Sequence, residues 1–139
     1  MTKDEELSKY LVLLDQYKEQ INSLETQYSY LQAAVTDYNK AKITLEQLNK
    51  HDKRTDLLLP IGGGTYLDAS AKNTSKVFFD IGAGIVTEKT AEDVINKINK
   101  KLEDLGKTQE KLLTTIQKLQ TQATEISGKA QELLAADNK

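Results

Sequence analysis

Few residues in this 139-residue chain have the types and spacing that covalent chemistry requires. Gly82 and Gly84 follow an apolar run, as at the start of a dinucleotide-binding turn. The third glycine of that fingerprint falls on Thr87, however, and the next element reads as a strand rather than a helix whose N-terminus could hold a pyrophosphate. Gly62-Gly63-Gly64 lacks the Gly-Lys-Ser/Thr that completes a phosphate-cradling loop. The single histidine, His51, stands in the polar run His51-Asp52-Lys53-Arg54 and reads as a solvated loop residue, not a metal ligand. Asp68 and Asp80 are the carboxylates nearest the apolar strands. They sit at positions facing away from the apolar side, with no base, nucleophile or metal partner in view, and a polar outer face accounts for both. Tyr10, Tyr17, Tyr28 and Tyr38 form a stripe whose spacing is that of a packing seam. No catalytic, cofactor-binding or metal-binding constellation is expected, and no enzymatic activity.

The totals narrow the field further. Nineteen basic against 21 acidic residues give a net charge of −2, so nothing here would neutralise a phosphate backbone and nucleic acid is not an expected partner. Cysteine is absent, which excludes disulfides and thiolate metal sites and fits a reducing compartment. The first residues, Met1 to Lys9, are charged rather than basic-then-apolar. No apolar run approaches the ~20 residues that span a bilayer. A cytoplasmic protein without a membrane partner is expected. Charged residues make up 29% and aromatic ones 6%, a balance typical of chains rich in exposed helix.

Two long helical arms frame a short insert. In the first arm, Thr2 followed by Glu5 forms a capping-box pattern, and Asp4, Glu5 and Glu6 suit the positive end of a helix dipole. Leu7, Leu14, Ile21, Tyr28 and Val35 then recur every seven residues. Tyr10, Tyr17, Leu24, Leu31 and Tyr38 interleave with them in steps of three and four, an a/d seam of a supercoiled pair. Beyond Tyr38 the apolar line shifts to Ala41, Leu45 and Leu48, which reads as a three-residue stammer, and the arm ends in the polar run up to Arg54. In the second arm Thr90 and Asp93 suggest a cap. Ala91, Ile95, Ile98, Leu102, Leu105, Leu112, Ile116, Leu119, Ala123, Ile126, Ala130 and Leu133 carry the seam, broken once at Gln109. The last residues, Ala136 to Lys139, should fray.

The arms are nearly equal, each spanning roughly 65 Å at 1.5 Å per residue, so an antiparallel hairpin folded at the insert is expected. The alternative is that each arm pairs with other chains. If opposed positions sum to 140, every a residue meets a d residue. Tyr10 then faces Ala130 and Tyr17 faces Ala123, large against small, while a shift by one heptad stays open.

Between the arms the period changes to 2. Leu57, Leu59 and Ile61 share a strand face, as do Leu67, Ala69 and Ala71, then Val77, Phe79 and Ile81, with a fourth strand from Ile85 to Glu88. Glycine turns at Gly62 to Gly64 and at Gly82-Ala83-Gly84 make two hairpins, and Pro60 suits an edge or strand end. Units below ~40 residues rarely fold without metal, disulfide or association. This insert has no such staple, so pairing with the same element of other chains, closing a barrel without edges, is expected. At the far end of the first arm Leu11, Val12 and Leu13 fill e, f and g, positions that a two-helix seam leaves to solvent. Leu134, Ala135 and Ala136 do the same after Leu133. An exposed apolar patch there marks an interaction site.

Leu59-Pro60-Ile61-Gly62 with Gly64, and Asp80-Ile81-Gly82-Ala83-Gly84 leading to Glu88-Lys89-Thr90-Ala91-Glu92-Asp93, resemble a prefoldin subunit. The chain is similar to the α class, archaeal α or eukaryotic subunit five, whose members carry two β hairpins where β-class members carry one. The triple glycine departs from the family's more usual Gly-x-Gly. The resemblance implies a single prefoldin-like domain over residues 1–139. Residues 2–54 would form the N-terminal coiled-coil helix, 55–89 two hairpins and 90–136 the C-terminal helix. It implies a mainly α fold, an antiparallel two-helix coiled coil whose hairpins form an oligomeric β barrel. It further implies an α2β4 hexamer with β-class subunits. The activity implied is that of an ATP-independent chaperone without a cofactor, which captures unfolded proteins and passes them to a group II chaperonin. Capture would then use Leu7, Tyr10, Leu11, Val12, Leu13 and Leu14 with Ile126, Leu133 and Leu134. The strands Leu57–Ile61, Thr65–Ala71, Val77–Ile81 and Ile85–Thr87 would hold the hexamer through Leu57, Leu59, Ile61, Leu67, Ala69, Val77, Phe79, Ile81 and Ile85. The rival reading is a coiled-coil scaffold without client binding.

Overall fold

The computed structural model describes residues 2–50 and 54–137. The readings made for His51 and for fraying at Asn138 and Lys139 lie outside the described residues. The order of elements is α1 (Lys3–Asn49), β1 (Thr55–Gly62), β2 (Thr65–Ala71), β3 (Lys76–Asp80), β4 (Val86–Thr90) and α2 (Ala91–Asp137). The first helix therefore stops at Asn49, at the start of the 50–54 stretch in which the sequence places its end and short of residue 54. Its seam ends at Leu48, and helix beyond the last packing residue has little to sustain it. Arg54 belongs instead to the approach to β1, and its Nε donates to Ser70 Oγ at 3.1 Å. At the other end α2 continues through Ala136 and Asp137, two residues further than the onset of fraying expected from the sequence.

Both N-caps form as the sequence implies. The Glu5 amide donates to Thr2 Oγ1 at 3.2 Å, and the Asp93 amide to Thr90 Oγ1 at 3.1 Å. Each satisfies one of the amides that a helix start leaves without an intrahelical partner.

The chain divides into two compact units, Met1–Ala33 with Leu105–Lys139, and Ala34–Asp104. The first holds the N-terminal part of α1 and the C-terminal part of α2. Leu7, Tyr10, Leu14, Tyr17, Ile21, Leu24, Tyr28 and Leu31 are half-buried, while the residues between them face water. Opposite them Ile116 and Ala130 are buried, and Gln109 is half-buried. Gln109 Nε2 donates to Gln32 Oε1 at 3.0 Å, so the polar break in the seam is satisfied by an amide of the other helix. Gln32 is the neighbour of Leu31, the residue that the sum-of-140 register sets against Gln109. A heptad slip would instead bring residue 24 or 38 there. The burial of Ala130 agrees with the expected large-against-small pairing, in which that register sets it opposite Tyr10.

In the second unit the beginning of α2 is the best-packed element. Ala91, Val94 and Ile98 are buried, Ile98 to 2% exposure, and Ile95 is half-buried. Val94 was not part of the a/d reading. With Ala91, Ile95 and Ile98 it widens the apolar stripe beyond what one helix covers. The stammer expected at Ala41 is corrected. Ala41 is exposed and Lys42 is half-buried, so the a/d spacing continues through Lys42 and Leu45, and the step shortens only at Leu48. A lysine serves at such a position because its methylene stem packs while its amine reaches water.

The insert is two separate antiparallel hairpins, β1 with β2 and β3 with β4. Thr55 to Leu59 pair with Ala71 to Leu67, and a register shift between Pro60 and Gly62 leaves Ile61 out of the ladder. Lys76 to Asp80 pair with Thr90 to Val86. Hence Ile81 and Ile85, assigned from the sequence to strands, lie in the connection. The Ile81 amide donates to the Ile85 carbonyl at 2.9 Å, and the Ile85 amide to Gly82 O at 3.0 Å. Asp80 Oδ1 accepts from the Gly82 amide at 2.8 Å, which gives this aspartate a turn-forming role in place of a merely polar one. Before β3, Asn73 Oδ1 accepts from the Ser75 amide at 3.0 Å. The Ser75 carbonyl accepts from the Ala91 amide at 2.9 Å, tying the start of α2 to the hairpin.

Each turn has positive φ at both central residues, Gly63 (55°) with Gly64 (72°), and Ala83 (53°) with Gly84 (74°). That is the geometry whose twist matches the flanking strands. Gly64→Val is expected to cost about 1–2 kcal/mol because its Cβ meets the neighbouring carbonyl. Ala83→Gly should change stability by less than about 1 kcal/mol, since relief of that clash is offset by backbone entropy. Thermal denaturation of the two variants measures the contrast.

Candidate functional site

Two surfaces stand out, one in each unit. In the first unit the residues named for capture separate into two sets. Leu7, Tyr10, Leu14, Ile126 and Leu133 are half-buried in the seam and act chiefly as packing. Leu11, Val12 and Leu13 are exposed at 55%, 58% and 37%, and Leu134 is exposed at 50%. Three consecutive residues on a helix point in directions 100° apart, so they form a ridge around the side of α1 away from its partner: Leu11 on one flank, Val12 outermost, Leu13 on the other. Ser8, Lys9, Val12, Leu13 and Gln16 line a shallow, mainly apolar depression of about 410 Å³ beside this ridge.

In the second unit both faces of the first hairpin are exposed. Leu57, Leu59 and Leu67 lie on one face and Leu58, Pro60 and Tyr66 on the other, with Leu58 exposed at 69%. Asp68 pairs with Leu58, so the face assigned to polar residues is itself largely apolar. On the second hairpin Val77 and Phe79 are half-buried and turn toward the helical part of their own unit. Phe79 lies beside a depression of about 550 Å³ lined also by Tyr38, Lys97 and Lys101. The opposite face carries Phe78, exposed at 75%, and Val86. Lys76 Nζ and Glu88 Oε1 approach to 3.8 Å on that same face. Every strand has a single neighbour among the described residues, so each hairpin keeps two open edges.

Leu58, Tyr66, Phe78 and Val86 were not singled out by alternation. The signal for them was present in Leu57-Leu58-Leu59 and in Phe78-Phe79. A strand solvated on one face does not carry large apolar groups at consecutive positions, whereas a strand covered on both faces does.

Among the described residues no group of three or more His, Cys, Asp and Glu side chains could hold a metal ion. Among the described residues no helix is long and apolar enough to cross a membrane.

The family model for the prefoldin subunit matches residues 17–136. The chain is similar to prefoldin subunit alpha of Methanococcus vannielii, 30% identical over 136 residues that cover 98% of this chain and 91% of the relative. Prefoldin subunit alpha of Archaeoglobus fulgidus is 27% identical over 139 residues, covering 100% and 99%. In fold, the chain is similar to the filamentous PFD of Methanocaldococcus jannaschii solved by cryo-electron microscopy, with a TM-score of 0.58 at 23% identity, over 88% of this chain and 96% of that one. Two long helices joined by two hairpins, together with a family match over most of the length, lead to one assignment: the chain belongs to the prefoldin subunit family, in its alpha class.

Proposed function

We propose that this prefoldin chaperone subunit works as an ATP-independent holdase. Its hairpins assemble it with β-class subunits, its arm end captures unfolded proteins, and the captured chain passes to a group II chaperonin. The observation that carries capture is the exposed ridge Leu11-Val12-Leu13 with Leu134, apolar surface that the helix pair does not need for its own packing. Contact area on one ridge is small, so a single arm binds weakly. Several arms on one assembly hold a client firmly, because a chain caught by one meets the next at high local concentration. A contact without directional polar groups also suits clients of unrelated sequence.

The test is a comparison of assembled complexes carrying the native ridge or Leu11→Ser with Leu13→Ser. The concentration needed to suppress aggregation of a denatured client should rise about tenfold, since each buried leucine side chain contributes roughly 1.5–3 kcal/mol and only part of it is covered. Assembly mass should not change. Undiminished protection by the double variant would point to the scaffold reading instead.

A further inference from the structure

The ridge has a charged surround. Residues 3–19 and 125–136 contain seven carboxylates and four lysines, leaving 14 acids and 15 bases in the rest of the chain. The acidic excess is therefore concentrated at the end of the arm that carries the apolar ridge. Asp4, Glu5 and Glu6 stand seven residues before Leu11, Val12 and Leu13 respectively, so each ridge residue has a carboxylate two turns away on its own stripe of the helix. Asp15 follows Leu11 by four and Glu19 follows Val12 by seven. Asp4, Glu5, Asp15 and Glu19 are exposed. The three acids of the first turn also serve the helix dipole, but Asp15 and Glu19 lie several turns inside α1, where the dipole has no call for them. Two turns of helix rise about 10 Å, close to the Debye length of about 8 Å at physiological ionic strength. A chain lying on the ridge therefore has its flanking residues within reach of these carboxylates.

We infer that the arm end selects among unfolded segments by charge, taking short apolar runs flanked by lysine or arginine in preference to runs flanked by acid. This rests on capture at the arm end as proposed above. The apolar run covers Leu11 to Leu13, and its basic flanks meet the acids before and after the ridge. Acid-flanked runs meet a net excess of like charge, which Lys9 and Lys18 offset only in part.

Fluorescence anisotropy on the assembled complex tests the inference. The probes are 12-residue peptides with one leucine-phenylalanine core flanked by two lysines, two serines or two glutamates on each side. At low salt the lysine peptide should bind about tenfold more tightly than the glutamate peptide, as expected for several exposed charge pairs of modest strength, and the ratio should shrink to about twofold at 0.5 M salt. Asp15→Asn with Glu19→Gln leaves ridge and cap intact and should reduce the preference about threefold. Equal binding of the three peptides, or a glutamate preference, overturns the inference. If that equal binding is lost with Leu11→Ser and Leu13→Ser, capture itself stands. Binding of none overturns both. A fall in the native mass of the complex with the double serine variant would show the ridge to be covered by a second copy of the chain, and overturns the inference as well.

Discussion

Replacing Phe78 by aspartate is expected to leave the chain helical and to abolish its assembly. At 75% exposure Phe78 contributes little to the fold of its own chain. Its ring stands on the outward face of the second hairpin, beside Val86 and the Lys76–Glu88 pair. Covering such a ring in a subunit contact is worth roughly 2–3 kcal/mol. A carboxylate forced into the same contact, directly across the strands from Glu88 and beside a Lys76 that Glu88 already engages, costs several kcal/mol more. Together they lower the association constant at that contact by a factor on the order of a thousand or greater. Native mass measurement should find the variant as free chain under conditions in which the native chain, mixed with a β-class subunit, is expected to form a larger complex. Circular dichroism should show the same helix content for both. Phe79→Asp provides the contrast. Phe79 faces the helical part of its own unit, so its loss should lower stability as well as assembly. A variant Phe78→Asp that still assembles at native concentrations would remove the second hairpin's outer face from the interface.

The largest effect on folding is expected at Ile98. It is 2% exposed, the most completely covered large side chain among the described residues, and it sits where the widened stripe of α2 meets the rest of its unit. Ile98→Ala removes three carbons and leaves a cavity that straight helices cannot close, a change that costs about 2–5 kcal/mol. Leu113→Ala, on the same helix but 43% exposed, should cost less than about 1 kcal/mol. Chemical denaturation of the two variants separates these expectations. The comparison matters because most seam positions are only half-buried, so a pair of helices standing in water has few sites at which one residue decides stability. The start of α2, anchored by the Thr90 cap and by the bond from the Ala91 amide to the Ser75 carbonyl, is where they concentrate.

Much of this architecture was legible in the order of residues. The seam from Leu7 to Tyr38, its counterpart from Ala91 to Leu133 and both threonine caps follow from periodicity and from the hydrogen-bonding needs of helix ends, which are local. The two hairpins followed from glycines placed where φ must be positive. Leu11, Val12 and Leu13 were identifiable as surplus because a two-helix seam has no use for apolar groups at three consecutive positions. The family resemblance, carried by the residues around the two turns, agreed with the match found over residues 17–136.

What tertiary structure decided lies where neighbours compete. Periodicity placed a break at Ala41, but packing kept Lys42 in the seam, because a long stem can be covered while its charge stays wet. Alternation assigned Ile81 and Ile85 to strands, yet the ladder ends at Asp80 and restarts at Val86, since the positive-φ turn and the Asp80 side chain use the residues between. Only coordinates could say which of Phe78 and Phe79 faces outward, because two adjacent phenylalanines satisfy either parity. The register of the arms likewise needed the contact of Gln109 with Gln32, since a heptad repeat is by construction nearly indifferent to a shift of seven. Sequence by itself determined which elements form. The fold decided which faces remain open for other chains, because exposure depends on what stands next to a residue in space, and a linear pattern leaves that degenerate.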